Sequence, residues 1–170
     1  MKQCVPILIF ACLIAAGTVS ATTSTANLDI SMTIGGGGGG GACSVSAVGV
    51  NFPWVDQSTS TTANGSISIT CPLGIAYSIG LDGGLFGTNP PFRFLADAQL
   101  DKISYYLSAT ADDWNVLWGN DDAFGPAVPG VGTGVGQDYT VYGGMNPTVL
   151  HSGSYNIGAW SDTVQVLVNY

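Results

Sequence analysis

The sequence predicts an all-β protein folded as a β-sandwich. Three observations carry that expectation. Short segments of alternating apolar and polar residues recur along the chain, separated by Gly, Pro, Asn and Asp punctuation. The composition includes 25 glycines and 8 prolines, and only 8% of residues are charged, so strong helix formers are scarce. No amphipathic stretch of helical length lies between the strand-like segments, which disfavours a parallel α/β arrangement.

Taken in order, residues 1–21 read as an export leader. Lys2 supplies a weak positive start, Val5 to Ala16 form a short apolar run, and Val19-Ser20-Ala21 makes a small-residue cleavage site. A lipidated Cys12 is the alternative, disfavoured because it lies inside the apolar run. No later segment is long and apolar enough to span a bilayer. Residues 22–34 form an N-terminal extension in which "TANLDISMTI" alternates like a strand. Residues 35–41 are seven consecutive glycines, a flexible linker with a root-mean-square span of ~15 Å. Residues 42–170 form the body.

Within the body, "CSVSAVGVNF" (43–52) is strand-like and "DQSTSTTANG" (56–65) reads as a polar loop. "SISITC" (66–71) places Ile67 and Ile69 on one face, and "IAYSIGLD" (75–82) does the same with Ile75, Tyr77, Ile79 and Leu81. Residues 83–91 are turn and loop. "FRFL" (92–95) and "ISYYLS" (103–108) are short strands, and "WNVLWG" (114–119) leads into an irregular Gly/Pro/Asp stretch ending near Gly136. "DYTVYGG" (138–144) is a strand. "SDTVQVLVNY" (161–170) closes the chain with Val164, Val166, Val168 and Tyr170 on one face.

Charge and cysteines narrow the function classes. All eleven acids are aspartate, and beyond the leader only Arg93 and Lys102 oppose them, a net charge of −9 for residues 22–170. Nucleic-acid binding needs clustered Lys and Arg, which are absent. Two cysteines remain beyond the leader, Cys43 and Cys71. In an exported chain an even pair reads as one disulfide, worth roughly 3 kcal/mol by loop closure; two buried thiols are the other reading.

Several residues raise and then weaken the case for a chemical site. His151 is the single histidine, and neither G-x-S-x-G nor H-E-x-x-H occurs, so no enzyme is expected and no cofactor. Asp112, Asp113, Asp121 and Asp122 do not match a calcium loop and read as a solvated acidic stretch, so no metal is expected. Trp54, Trp114, Trp118 and Trp160, with Tyr105, Tyr106, Tyr139 and Tyr142, would make either a sugar-binding platform or core packing. Of these, Trp160 is the best candidate for an exposed ring.

Seven motifs in order resemble the spore coat protein U family, which includes subunits of archaic chaperone–usher pili. They are "CSVSAVGVNF", "NGSISITCPLGIAYSIGLDGG", "FRFL", "ISYYLS", "LWGN", "DYTVYGGM" and "GSYNIGAWSDTVQVLVNY", the last with extra residues between Tyr155 and Asp162. The likeness runs from about Leu28 to Tyr170. It implies an immunoglobulin-like sandwich lacking one strand, completed by an N-terminal donor strand. The partners implied are identical or related pilin subunits, a periplasmic chaperone and an outer-membrane usher. The place implied is the periplasm and then the cell surface, in a pilus or a coat.

A missing strand leaves bare backbone groups and bare core, both costly in water. The extension is the natural filler, with Ala26, Leu28, Ile30, Met32 and Ile34 as its inward face. Burying the four large side chains contributes roughly 6–12 kcal/mol before ordering costs. Ten residues reach about 33 Å, the length of a sandwich groove. Donation to the next subunit, repeated head to tail, gives a filament. Val164, Val166, Val168 and Tyr170 would border the groove and pair with the chaperone before assembly. Insertion into the same chain is the alternative, and it would make a self-complemented secreted module binding carbohydrate or abiotic surfaces.

Overall fold

Among the described residues the alternating segments form ten strands and no helix. The computed structural model describes residues 25–35, 43–52, 60–87, 90–111, 113, 115–120, 123–145 and 158–170. The leader and the linker glycines beyond Gly35 lie outside them. The strands are β1 (Thr25–Gly35), β2 (Ser44–Val48), β3 (Val50–Phe52), β4 (Thr61–Thr70), β5 (Ala76–Leu81), β6 (Arg93–Ala96), β7 (Lys102–Ser108), β8 (Val128–Val131), β9 (Gln137–Met145) and β10 (Ala159–Asn169).

Two layers emerge from the pairing. One is β2-β4-β9 with the second half of β7, and its longest ladder runs from Thr61↔Met145 to Ile69↔Gln137. The other contains β8-β5-β10-β1-β3, with β6 meeting β10 at Ser161↔Ala96. Strand β7 serves both layers. Lys102 to Tyr105 pair with β6, and Tyr106 to Ser108 pair with β9. Every pairing is antiparallel except β1 with β10. This is a sandwich in the immunoglobulin-like class, whose body is completed by β1.

Period-two alternation explains the core between the layers. Ile67 and Ile69 from β4, Val141 from β9 and Leu107 from β7 are fully buried on one side. Ile79 and Leu81 from β5, Leu95 from β6, and Val164, Val166 and Val168 from β10 face them from the other. Cys43 and Cys71 form the disulfide, with Cα atoms 4.3 Å apart across a sequence separation of 28. At the same end, the loops after β4 and β8 are tied by Gly74 N–H to Gly132 C=O, Gly132 N–H to Ile75 C=O and Gly134 N–H to Cys71 C=O.

Three expectations need correction. The polar stretch 56–65 is not all loop, because β4 begins at Thr61 and pairs with β9 from there. The polarity misled: Thr62 and Asn64 lie on a sheet with one solvated face. The stretch before Gly136 contains β8, a strand with the sequence VPGV. Pro129 is tolerated there because, among the described residues, β8 pairs only with β5 and is an edge. Trp160 is 1% exposed rather than displayed. Strand β10 starts at Ala159, so Trp160 shares the inward parity of Val164.

Candidate functional site: the seat beside the last strand

Strand β10 alternates without interruption between an inner and an outer face. Trp160, Asp162, Val164, Val166 and Val168 are each at most 1% exposed, and their neighbours Ser161, Gln165 and Asn169 are exposed. Tyr170, past the strand end, is half-buried against the core. On one side β10 pairs with β5 over Val166↔Leu81 to Asn169↔Ser78. On the other side lies β1, in parallel, from Thr25↔Ala159 to Gly35↔Asn169.

The register relates the two sequence-derived residue sets to each other. Residues 26, 28, 30, 32 and 34 stand opposite Trp160, Asp162, Val164, Val166 and Val168 in turn. Across β1 is β3, paired antiparallel at Ala26↔Phe52, Asn27↔Asn51 and Leu28↔Val50. Among the described residues β3 has no other ladder partner, yet Val50 and Phe52 are buried. The body therefore presents a long strand edge on β10 and a short one on β3, with β1 seated between them.

The rear wall of this seat holds a polar cluster. Arg93 is fully buried. Its Nε donates to the Asp82 carbonyl at 2.7 Å, and Nη2 donates to the carbonyls of Leu81 at 3.0 Å and Trp118 at 2.9 Å. The guanidinium also stacks 5.3 Å from the Phe124 ring centroid. Trp118 Nε1 donates to the Ile79 carbonyl at 2.8 Å. These bonds fix the end of β5, which in turn supports β10.

Asp162 joins the cluster from β10. Its Oδ2 accepts from Tyr105 Oη at 2.6 Å, and Oδ1 accepts from the backbone N–H of Leu85 at 2.9 Å and Thr163 at 2.8 Å. Burial pushes the Asp162 carboxyl above the usual carboxylate range, even though those three donors oppose the shift. Burial likewise raises the Tyr105 phenol, with the Asp162 charge adding to it. Gly84 lies directly over this carboxylate with φ +75, and a Cβ there would collide with Asp162. Glycine is required at that position on both counts.

The arrangement offers backbone pairing and apolar seats. Among the described residues no three His, Cys, Asp or Glu side chains gather to hold a metal ion. His151, Trp54, Trp114, Asp112, Asp121 and Asp122 lie outside the described residues. Trp118 and Tyr105 are buried in the core, and Tyr139 donates to or accepts from Tyr77 across the two layers at 2.7 Å. Of the described rings, Trp118, Trp160 and Tyr105 take the core-packing reading.

Sequence reasoning missed Arg93 and Asp162 as structural anchors, although strand parity marks both. Arg93 shares its face with Leu95, and Asp162 shares its face with Val164. A charge on the core parity of a strand demands buried partners.

No curated protein sequence matches the chain. A solved structure is similar in fold: a chaperone–tip adhesion subunit pre-assembly complex from the archaic chaperone–usher Csu pili of Acinetobacter baumannii. The likeness has a TM-score of 0.54 at 21% identity, covering 75% of this chain and 39% of that one. The chain thus spans about two-fifths of the length of that relative. Residues 24–167, nearly all of the sequence, match the Spore Coat Protein U domain, and the chain belongs to that family.

Proposed function

We propose that the protein is an exported structural subunit of a chaperone–usher pilus or related surface coat, and that it polymerises by strand donation. In this reading the N-terminal extension, through Ala26, Leu28, Ile30, Met32 and Ile34, fills the seat beside Val164, Val166 and Val168 of the next subunit. A periplasmic chaperone holds the same edge before assembly, an outer-membrane usher accepts the subunit, and the fibre supports adhesion. Family membership and the sandwich fold support this reading.

The observation that carries it is the seat itself. Among the described residues, strands β10 and β3 are joined in the sheet only by β1, a segment followed in the sequence by a glycine tract. A strand that completes a sheet but is loosely tethered is suited to exchange between copies. The test is light scattering of the mature protein after chaperone release. Growth of linear oligomers that is lost when residues 22–34 are removed supports strand donation. Linear growth that persists without those residues contradicts it.

One observation favours the second reading, a self-complemented secreted module. Strand β1 lies beside β10 of its own chain along its whole length.

A further inference from the structure

We infer that the subunit is latched: its own β1 occupies the seat in the resting monomer and keeps it closed to partners until that strand is released. The inference rests on the strand-donation reading and adds a closed state that precedes it.

The register carries the argument. Strand β1 matches β10 from end to end, and its first half also closes onto β3. On the side facing β1, every residue of β10 from Ala159 to Asn169 is already paired, so no stretch of that edge is left for an incoming strand. The connection is local. Leu28 pairs with Val50, so β1 and β3 lie side by side although only a short stretch of sequence separates them. Short flexible connections carry a low closure cost. A tethered strand has an effective concentration in the millimolar range. Against a partner strand at micromolar concentration, the strand in the same chain is favoured roughly a thousandfold.

The parallel direction supplies a label for this closed state. Ser31 is in register with Gln165, whose side chain is exposed. Adjacent strands lie about 4.8 Å apart, within reach of a disulfide. In the mature protein, Ser31→Cys with Gln165→Cys should crosslink within one chain and run as a monomer on a non-reducing gel. Crosslinks that instead produce a ladder of multimers at micromolar concentration would overturn the latch.

Uptake of a fluorescent synthetic peptide of residues 22–35 provides a second measurement. The mature protein should take it up about a hundredfold more slowly than a variant lacking residues 22–34, at a rate that stops rising with peptide concentration. Equal uptake by both forms would overturn the latch and leave strand donation standing. A folded truncated variant that binds no peptide would overturn strand donation itself. If the truncated variant does not fold, the crosslinking result alone decides the latch.

Discussion

The ladders β4–β9 and β1–β10 look alike in extent but differ in how they belong to the molecule. Strand β4 pairs with β9 over nine residues, antiparallel, and is flanked by β2 on its other side. Its neighbour Cys71 is bonded to Cys43. Strand β1 pairs with β10 over eleven residues, parallel, and is followed at once by the glycine tract. Parallel pairing is slightly weaker per residue than antiparallel. One ladder is therefore built into the body by crosslink and sequence, and the other is held by strand pairing to β10 and β3. The difference teaches where exchange can occur without unfolding the rest.

The largest effect should come from placing a charge in the exchangeable strand. On the proposed reading, Ile30→Asp costs about 3 kcal/mol or more, because an unpaired carboxylate would enter the seat opposite Val164. Urea melts should show that loss, and added wild-type peptide of residues 22–35 should restore it. In the built-in ladder, Ile67→Ala should cost about 2–5 kcal/mol, since Ile67 is fully buried. The same peptide should not restore that loss. Rescue of both variants, or of neither, would erase the contrast between the ladders.

Replacing Cys43 and Cys71 with alanine should cost roughly 3 kcal/mol, read as a lower urea midpoint. The loss should fall on the body and leave peptide binding to a truncated, folded variant intact. A smaller effect tests the rear wall of the seat. The Asp162 carboxyl is raised by burial, so the native form holds its proton more tightly than the unfolded chain. Its contribution therefore falls as pH rises through the window between the unfolded carboxylate value and the raised native one. Asp162→Asn should flatten that part of the stability–pH curve. An unchanged curve would show that the carboxyl does not titrate in that window.

Much of this was legible in the sequence because period-two alternation speaks for itself on half-buried strands. The faces of Ile67 and Ile69, of Ile79 and Leu81, and of Val164, Val166 and Val168 all read directly as core. The alternation of residues 26 to 34 indicated a strand, and the chain does form one there. What escaped was tertiary in origin. Strand β8 exists because β5 offers it an edge, which no local preference of VPGV reveals. The start of β4 is polar on its solvated face, so Thr61 to Gly65 read as loop. The anchors Arg93 and Asp162 depend on partners far along the chain: Trp118 for one, Leu85 and Tyr105 for the other. The parallel direction of β1 was not encoded in its alternation at all, since alternation is the same read either way.

Amide hydrogen exchange along β10 tests the account most directly. Gln165 directs both its N–H and its C=O to Asp82, so alternation turns those of Val164 and Val166 toward β1. In the mature protein both amides should exchange slowly. In a folded variant lacking residues 22–34 they should exchange at least about a hundredfold faster, and recover when a peptide of residues 22–35 is added. Protection at Val164 and Val166 that is indifferent to the N-terminal strand would contradict the account.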